Sequence, residues 1–163
     1  MKKKFSVEYE IFTAYHELPE SIREIIDAAI SATQKAYAPY SGYNVGCAAL
    51  LENGEIISGA NQENASFPAG ICAERTTLSA ISSLHPGMAI NHLAIAIQSE
   101  RTKANGPAAP CGICRQSLID YEARQGKKIS LWLVAGDEGY YYFRSVSDLM
   151  PFGFTSKQLG DKL

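Results

Sequence analysis

The first regular pattern along the chain is a helical one. Between residues 19 and 37 apolar side chains recur at every third or fourth position, which predicts an amphipathic helix with Pro19 in its first turn. From Tyr43 to Leu51 the composition changes to that of a strand. Asn53-Gly54 then marks a tight hairpin turn, and a returning strand is expected over residues 55–60.

After the hairpin the predicted elements alternate in type. They are a helix over 72–84, a strand over 90–98, a loop over 101–110, a helix over 111–124 and strands over 129–135 and 140–145. This order predicts an α/β protein, a three-layer α/β/α sandwich around a five-stranded mixed sheet. We expect residues 19–163 to form a single domain, preceded by an N-terminal extension over residues 1–18.

Length and charge restrict the classes of function. A chain of 163 residues with 46% hydrophobic content is long enough for one domain with a sizeable core. A formal net charge of −2 disfavours binding to a polynucleotide, whose phosphates require a basic surface. The apolar runs are far shorter than a membrane span, and no apolar segment of signal-peptide length follows the N-terminal lysines. We therefore expect a cytoplasmic protein with no membrane partner.

The four cysteines point to a metal. Cys111 and Cys114 form a Cys-x-x-Cys pair, Cys72 precedes them, and Cys47 lies within a predicted strand, where core packing explains it. Two disulfides are the alternative, which a reducing compartment disfavours. Cys72 and Cys111 open predicted helices, whose N-termini favour the thiolate that a metal needs. Three ligands leave the fourth position of a zinc ion for water, as in catalytic sites. A structural zinc ion or three free thiols remain the alternatives.

Glu74 supports the catalytic interpretation of these cysteines. It lies two residues after Cys72, within reach of a water on the metal, and hydrolysis at an aromatic ring needs such a group to carry the proton. Zinc-dependent deaminases of nucleobases combine a non-ligating glutamate with a later Pro-Cys-x-x-Cys, which is present here as residues 110–114.

Three segments carry a resemblance to a known family. "YSGYNVGCAAL", "NQENASFPAGICAERT" and "PCGICRQ" resemble the free-nucleoside cytidine deaminases, and the similarity extends over residues 22–159. The resemblance implies a zinc ion on Cys72, Cys111 and Cys114, with Glu74 as the proton carrier. It also implies hydrolysis of cytidine or deoxycytidine to uridine or deoxyuridine with release of ammonia, a reaction of pyrimidine salvage.

The same resemblance implies a substrate site. Asn61 and Glu63 would hold the ribose hydroxyls and Tyr43 would flank the pyrimidine, where the family usually has Phe. Members with three cysteine ligands are generally homotetramers with shared active sites, and Phe154 matches the aromatic residue that reaches a neighbouring subunit's pocket.

Two positions near this site depart from the family pattern, and one arginine adds a hypothesis. Phe67 replaces a common Tyr, which removes a hydroxyl, and Gln62 replaces a small apolar residue. Three thiolates around Zn²⁺ carry an excess negative charge, so we hypothesise that Arg75 donates to the ligand sulfurs.

Two alternative functions share the cysteines. One is a related deaminase acting on another small base-bearing molecule, such as a nucleoside antibiotic. The other is a zinc-binding module without catalysis.

Overall fold

The computed structural model describes residues 1–99 and 106–160. Its helices are α1 (Glu20–Ala32), α2 (Ala73–Leu84) and α3 (Gly112–Gln125). Its strands are β1 (Glu10–Phe12), β2 (Tyr43–Leu51), β3 (Ile56–Ala60), β4 (Ile90–Ser99), β5 (Ser130–Val134) and β6 (Tyr140–Phe143). Of the loop predicted over 101–110, residues 101–105 lie outside the described part. No helix among the described residues is both long and apolar enough to cross a bilayer.

All six strands form one mixed sheet in the order β1-β6-β5-β4-β2-β3. The pair β4–β5 is parallel and every other pair is antiparallel. The predicted mixed sheet is thus confirmed, but five strands was wrong. The sixth strand, β1, pairs with β6 and comes from the segment predicted as an extension. Gly139 permits this pairing, because a Cβ there would lie 2.3 Å from the Phe12 carbonyl oxygen.

Helices cover both faces of the sheet, which confirms the three layers. Because successive strand residues point to opposite faces, Cys47 and Ala49 of β2 pack towards α2 and α3, whereas Ala48 packs towards α1. Most of the apolar stripe that the sequence pattern predicts on α1 is buried, namely Ile22, Ile25, Ile26 and Ala29, whereas Ile30, which belongs to the same pattern, is 43% exposed.

Most element bounds agree with the sequence pattern, and the first helix is the main exception. The predicted helix over 19–37 ends at Ala32 and continues as a 3-10 turn over Thr33–Lys35. The Thr33 hydroxyl donates a hydrogen bond to the Ile30 carbonyl oxygen at 2.7 Å. A side-chain donor of this kind competes with the backbone N–H groups of a regular α-helix, which is consistent with the end of α1 at this point.

The topology places two helix N-termini at one edge of the sheet. β3 and β4 both run antiparallel to β2, so their carboxyl ends lie at the same edge. The segment after β3 leads into α2, and the segment after β4 leads into α3. Residues separated by about forty positions in the chain, at the starts of α2 and α3, are therefore brought together.

Candidate active site

Three cysteine sulfurs meet where α2 and α3 begin. Cys72 is the N-cap of α2, Cys111 is the N-cap of α3 and Cys114 lies in the first turn of α3. The Sγ atoms of Cys72 and Cys111 are 3.9 Å apart, those of Cys111 and Cys114 are 3.5 Å apart, and all three lie within 4.8 Å of one another. The structure thus brings together the three cysteines that the sequence predicted.

This donor set fits a zinc ion. Tetrahedral coordination with Zn–S bonds of about 2.3 Å implies sulfur–sulfur distances of roughly 3.8 Å, and the observed separations of 3.5 and 3.9 Å lie on either side of that value. Three soft sulfur ligands suit zinc, and a set of three leaves one coordination position for a small molecule.

The pKa values of Cys72 and Cys114 are shifted in opposite directions. A hydrogen bond from Cys114 lowers the pKa of Cys72 to about 5, and the neighbouring Arg75 acts in the same direction. The same contact with Cys72, together with burial, raises the pKa of Cys114 above its ordinary value. The local environment therefore favours a thiolate at Cys72, the form in which cysteine binds a metal.

Glu74 is held beside the cysteines in the first turn of α2. Its side chain is 4% exposed, and burial raises the pKa of its carboxyl. It lines the same cavity as Cys72 and Cys111. A carboxyl group in that position has access both to the metal site and to a molecule bound in the cavity.

Arg75 lies in the first turn of α2 and interacts with Cys72. One of its guanidinium nitrogens donates to the Gly70 carbonyl oxygen at 3.2 Å. The buried Nε has no hydrogen-bond partner among the described residues, while the charge and hydrogen bonding of the guanidinium lower the pKa of Cys72. Arg75 is therefore placed to offset the negative charge of the thiolates.

The site opens into a cavity of about 520 Å³, here called the cysteine cavity. Its walls combine the metal site with polar groups from β2 and from the segment after β3. The residues that line it include Cys72, Cys111, Glu74, Tyr43, Asn61, Glu63 and the apolar side chains Val45, Ile95 and Ile97. A largely apolar hollow with a few converging polar groups is typical of a site for a small organic molecule.

Asn61 is fixed by the backbone of β2. Its Oδ1 accepts a hydrogen bond from Val45 N at 2.8 Å, and its Nδ2 donates to the Tyr43 carbonyl oxygen at 2.9 Å. Because an amide oxygen has two acceptor positions, Oδ1 retains capacity for a donor in the cavity.

Glu63 is held by the loop before β2. Its Oε2 accepts hydrogen bonds from the backbone N–H groups of Tyr40 at 2.9 Å and Ser41 at 3.3 Å, and the Ser41 hydroxyl donates to Oε1. Ser41 also lines the cysteine cavity. Sequence reasoning missed Ser41, because it lies 22 positions before its partner and no local pattern connects them.

The remaining predicted substrate residues are divided between two places. Tyr43 lines the cysteine cavity. Phe154 does not line it in its own chain: its carbonyl oxygen accepts a hydrogen bond from Gln116 of α3 at 2.7 Å, and its ring is largely exposed. The Gln62 amide donates to the Lys35 carbonyl oxygen at 3.2 Å, so it ties its segment to the turn after α1. Cys47 is buried in the core.

A second hollow, also of about 520 Å³, adjoins the cysteine cavity. The two share Ser41, Asn61, Glu63 and Cys72 as a common wall. On its far side the second hollow is lined by Tyr40 and Phe67, whose rings meet edge to face at 5.6 Å, and we call it the aromatic hollow.

Comparison with known proteins gives consistent relatives. Residues 19–127 match the cytidine and deoxycytidylate deaminase zinc-binding region. The chain is 36% identical over 137 residues to a cytidine deaminase of Halalkalibacterium halodurans, covering 84% of this chain and 96% of that protein. It is 33% identical over 122 residues to a cytidine deaminase of Mycoplasma genitalium, covering 74% of this chain and 85% of that protein.

Solved structures show the same similarity. The crystal structure of a cytidine deaminase from Burkholderia pseudomallei superposes with a TM-score of 0.69 at 34% identity, covering 80% of this chain and 97% of that one. A cytidine deaminase from Mycobacterium tuberculosis superposes with a TM-score of 0.63 at 27% identity, covering 82% and 96%.

Proposed function

Because the chain belongs to the cytidine and deoxycytidylate deaminase family, we propose that it hydrolyses the C4 amino group of cytidine or deoxycytidine. The products are uridine or deoxyuridine and ammonia. The observation that carries this proposal is the juxtaposition of the three-cysteine cluster with the buried Glu74 at the end of one cavity.

Cys72, Cys111 and Cys114 would hold the zinc ion. A zinc ion with an open coordination position supplies a Lewis acid that lowers the pKa of a bound water to near neutrality. The family relationship and the sulfur–sulfur distances support this assignment.

Glu74 carries protons between the water and the base. Its carboxylate accepts a proton from the attacking water and delivers it to N3 of the pyrimidine while the C4–O bond forms. The carboxylate then takes the remaining proton from the oxygen added at C4 and transfers it to the C4 amino group, which leaves as ammonia when the C4–N bond breaks and the C4 carbonyl forms. The burial of Glu74 supports this role, because a carboxyl shielded from solvent exchanges its proton with the bound molecule.

The wall formed by Tyr43, Asn61 and Glu63 binds the nucleoside. Tyr43 offers an aromatic face to the pyrimidine, while the Asn61 amide and the Glu63 carboxylate pair with ribose hydroxyls. The hydrogen bonds that fix Asn61 and Glu63 support this assignment, since they orient both groups before a substrate arrives. With two carboxylates in the cavity, Glu63 and Glu74, a neutral nucleoside is favoured over a nucleotide phosphate.

The assembly and setting follow from the same assignment. We infer a homotetramer in which Phe154 of one subunit completes a neighbour's pocket, which the exposure of its ring supports. We also infer a cytoplasmic enzyme of pyrimidine salvage, because the proposed ligands are reduced cysteines and a reducing compartment keeps them so.

A substrate panel tests the proposal. Zinc-loaded protein is incubated with cytidine, deoxycytidine, cytidine 5′-monophosphate, cytosine and a cytosine nucleoside antibiotic, and ammonia release is measured together with the loss of cytidine absorbance. We expect turnover of the two nucleosides and little of the monophosphate. Turnover of the antibiotic alone would assign a different deaminase, and ammonia release from none of them would leave a zinc-binding module without this activity.

A further inference from the structure

Phe152 occupies a backbone conformation that suits glycine. The Gly153 N–H donates to the Met150 carbonyl oxygen at 3.1 Å, which closes a four-residue turn with Pro151 and Phe152 at its centre. Phe152 has a φ of +62°, and it is the sole non-glycine residue with positive φ in the described part of the chain. A turn with proline second and a positive φ third normally has Gly or Asn at that third position. Phenylalanine there raises the free energy of the folded chain.

The ring of Phe152 gains nothing from its own subunit. It is 98% exposed, so the aromatic side chain that the turn disfavours is also presented to water. Strained backbone and a fully exposed aromatic ring are both unfavourable in an isolated subunit. Their combination in one residue indicates a contact that forms outside it.

The turn that presents this ring is anchored to α3 on both sides. Arg115 donates to the Leu149 carbonyl oxygen at 3.2 Å and Gln116 donates to the Phe154 carbonyl oxygen at 2.7 Å. Between them Gly153 packs so closely that a Cβ would lie 2.3 Å from Ile119 Cδ1. The backbone that carries the ring is therefore fixed on the surface, which lowers the entropic cost of binding through this segment.

The aromatic hollow offers the complementary surface. Its far wall is the edge-to-face pair of Tyr40 and Phe67, and the Phe67 ring is 73% exposed although it lies in a hollow. A further ring can pack against such a pair with favourable geometry. The opposite wall is shared with the cysteine cavity, so an occupant of this hollow lies directly behind Asn61 and Glu63.

We propose that the Phe152 ring of one copy of this chain packs into the aromatic hollow of a second copy. The occupant is a second copy because one chain carries both complementary parts, the presented ring and the aromatic wall. Phe154 follows this turn directly, so one anchored segment delivers two rings to the neighbouring subunit. The inference rests on the proposed function in one respect: Asn61 and Glu63, which separate this hollow from the cysteine cavity, are the residues proposed to bind the ribose. Phe152 is then a positioning residue, which supports Asn61 and Glu63 from the side of the aromatic hollow.

The experiment removes the ring without disturbing the turn. Phe152→Gly and Phe152→Asn both suit positive φ, so each variant is expected to fold at least as well as the parent chain. The matched control is Leu84→Ser, which removes another largely exposed apolar side chain, at the end of α2. Sedimentation of the full zinc-loaded chain over a range of concentrations gives the dissociation constant of the assembly.

We expect both Phe152 variants to raise that dissociation constant at least tenfold, as for a residue central to an interface, and Leu84→Ser to leave it unchanged. Phe67→Ala should weaken assembly similarly, and Phe152→Gly combined with Phe67→Ala should be no worse than either alone, because both remove one contact. In the assembled state, Phe152→Gly should raise KM for cytidine more than it lowers kcat.

Several results would overturn the proposal: a monomeric parent chain, unchanged assembly of both Phe152 variants, or additive effects of the Phe152 and Phe67 substitutions. Sedimentation does not depend on turnover. A parent chain that assembles through Phe152 without deaminating cytidine would therefore contradict the proposed function and leave this interface standing.

Discussion

At the scale of single residues, the central problem of the site is charge. Three thiolates on Zn²⁺ leave one excess negative charge, which weakens the ion as a Lewis acid. Glu74, which is buried beside the cluster, adds a carboxyl group to this negatively charged site. Arg75 is the cation that lies against Cys72 and lowers its pKa.

Arg75→Gln should therefore impair the site while leaving the fold intact. Substitution of a group that supports a metal ligand typically costs 10- to 100-fold in metal affinity or activity, and we expect a loss of that order, measured as zinc content and as turnover of cytidine. Arg124→Gln is the matched control, because Arg124 is exposed and its contacts, an ion pair with Asp120 at 3.5 Å and a position over the Tyr121 ring at 4.5 Å, lie within α3 and away from the cysteines. Full activity with intact zinc in Arg75→Gln would contradict the role.

The residues of the metal site could be predicted from the sequence more completely than those that line the substrate-binding wall. The short spacings Cys-x-Glu and Cys-x-x-Cys lie within single helical turns, so local geometry suffices to bring those side chains together. The contact of Ser41 with Glu63 depends on how the loop before β2 folds against the segment after β3. Such a contact has no local pattern in the sequence.

At the scale of elements, the contact between α1 and the sheet is unusually close at one point. An ideal Cβ on Gly46 of β2 would lie 2.0 Å from the Ala29 carbonyl oxygen and 2.8 Å from Thr33 N. Both neighbours are backbone atoms of α1 and its continuation, so neither moves without moving the helix. β2 also carries Tyr43 and the backbone groups that hold Asn61.

Gly46→Ala should consequently destabilise the protein by about 3 kcal/mol or more, because overpacking typically costs 1–3 kcal/mol and backbone atoms yield least. The measurement is the urea concentration at the midpoint of unfolding. Gly54→Ala places its methyl group in open space at the hairpin turn, so its cost comes only from the positive φ, which alanine disfavours. It should lower the free energy of unfolding by about 1 kcal/mol. If Gly46→Ala lowered the free energy of unfolding no more than Gly54→Ala does, the close contact between Gly46 and α1 would not be important for stability.

The elements that sequence reasoning predicted well are those with strong local signals. β2 has the predicted bounds because its apolar run is closed by an Asn-Gly turn. α3 ends at Gln125 because the next residue, Gly126, has the left-handed conformation typical of a helix C-cap. β1 was missed because it is three residues long and its partner, β6, lies about 130 positions further along the chain. The predicted boundary between an extension and a domain at residue 19 stays a prediction.

At the scale of the whole molecule, the sheet serves to bring two helix N-termini to one edge. One cavity is then lined by residues from separate parts of the chain, namely Asn61, Glu63, Cys72, Glu74 and Cys111. The segment that carries Phe152 and Phe154 does not line this cavity in its own chain. In the proposed assembly a second copy of the chain completes the pocket, and the sequence of one chain does not show which of its residues face such a copy.

The most direct test of the account compares the parent enzyme with Glu74→Gln, both assayed for zinc content and for ammonia release from cytidine. Glu55→Gln is the matched control, since Glu55 is exposed and pairs with His85 at 3.3 Å. Proton transfer by a positioned side chain contributes roughly 10²- to 10⁴-fold to a rate. We predict that Glu74→Gln retains one zinc ion per chain and loses at least a hundredfold in kcat, whereas Glu55→Gln is unchanged. A zinc-loaded Glu74→Gln enzyme that deaminates cytidine at the parent rate would contradict the account.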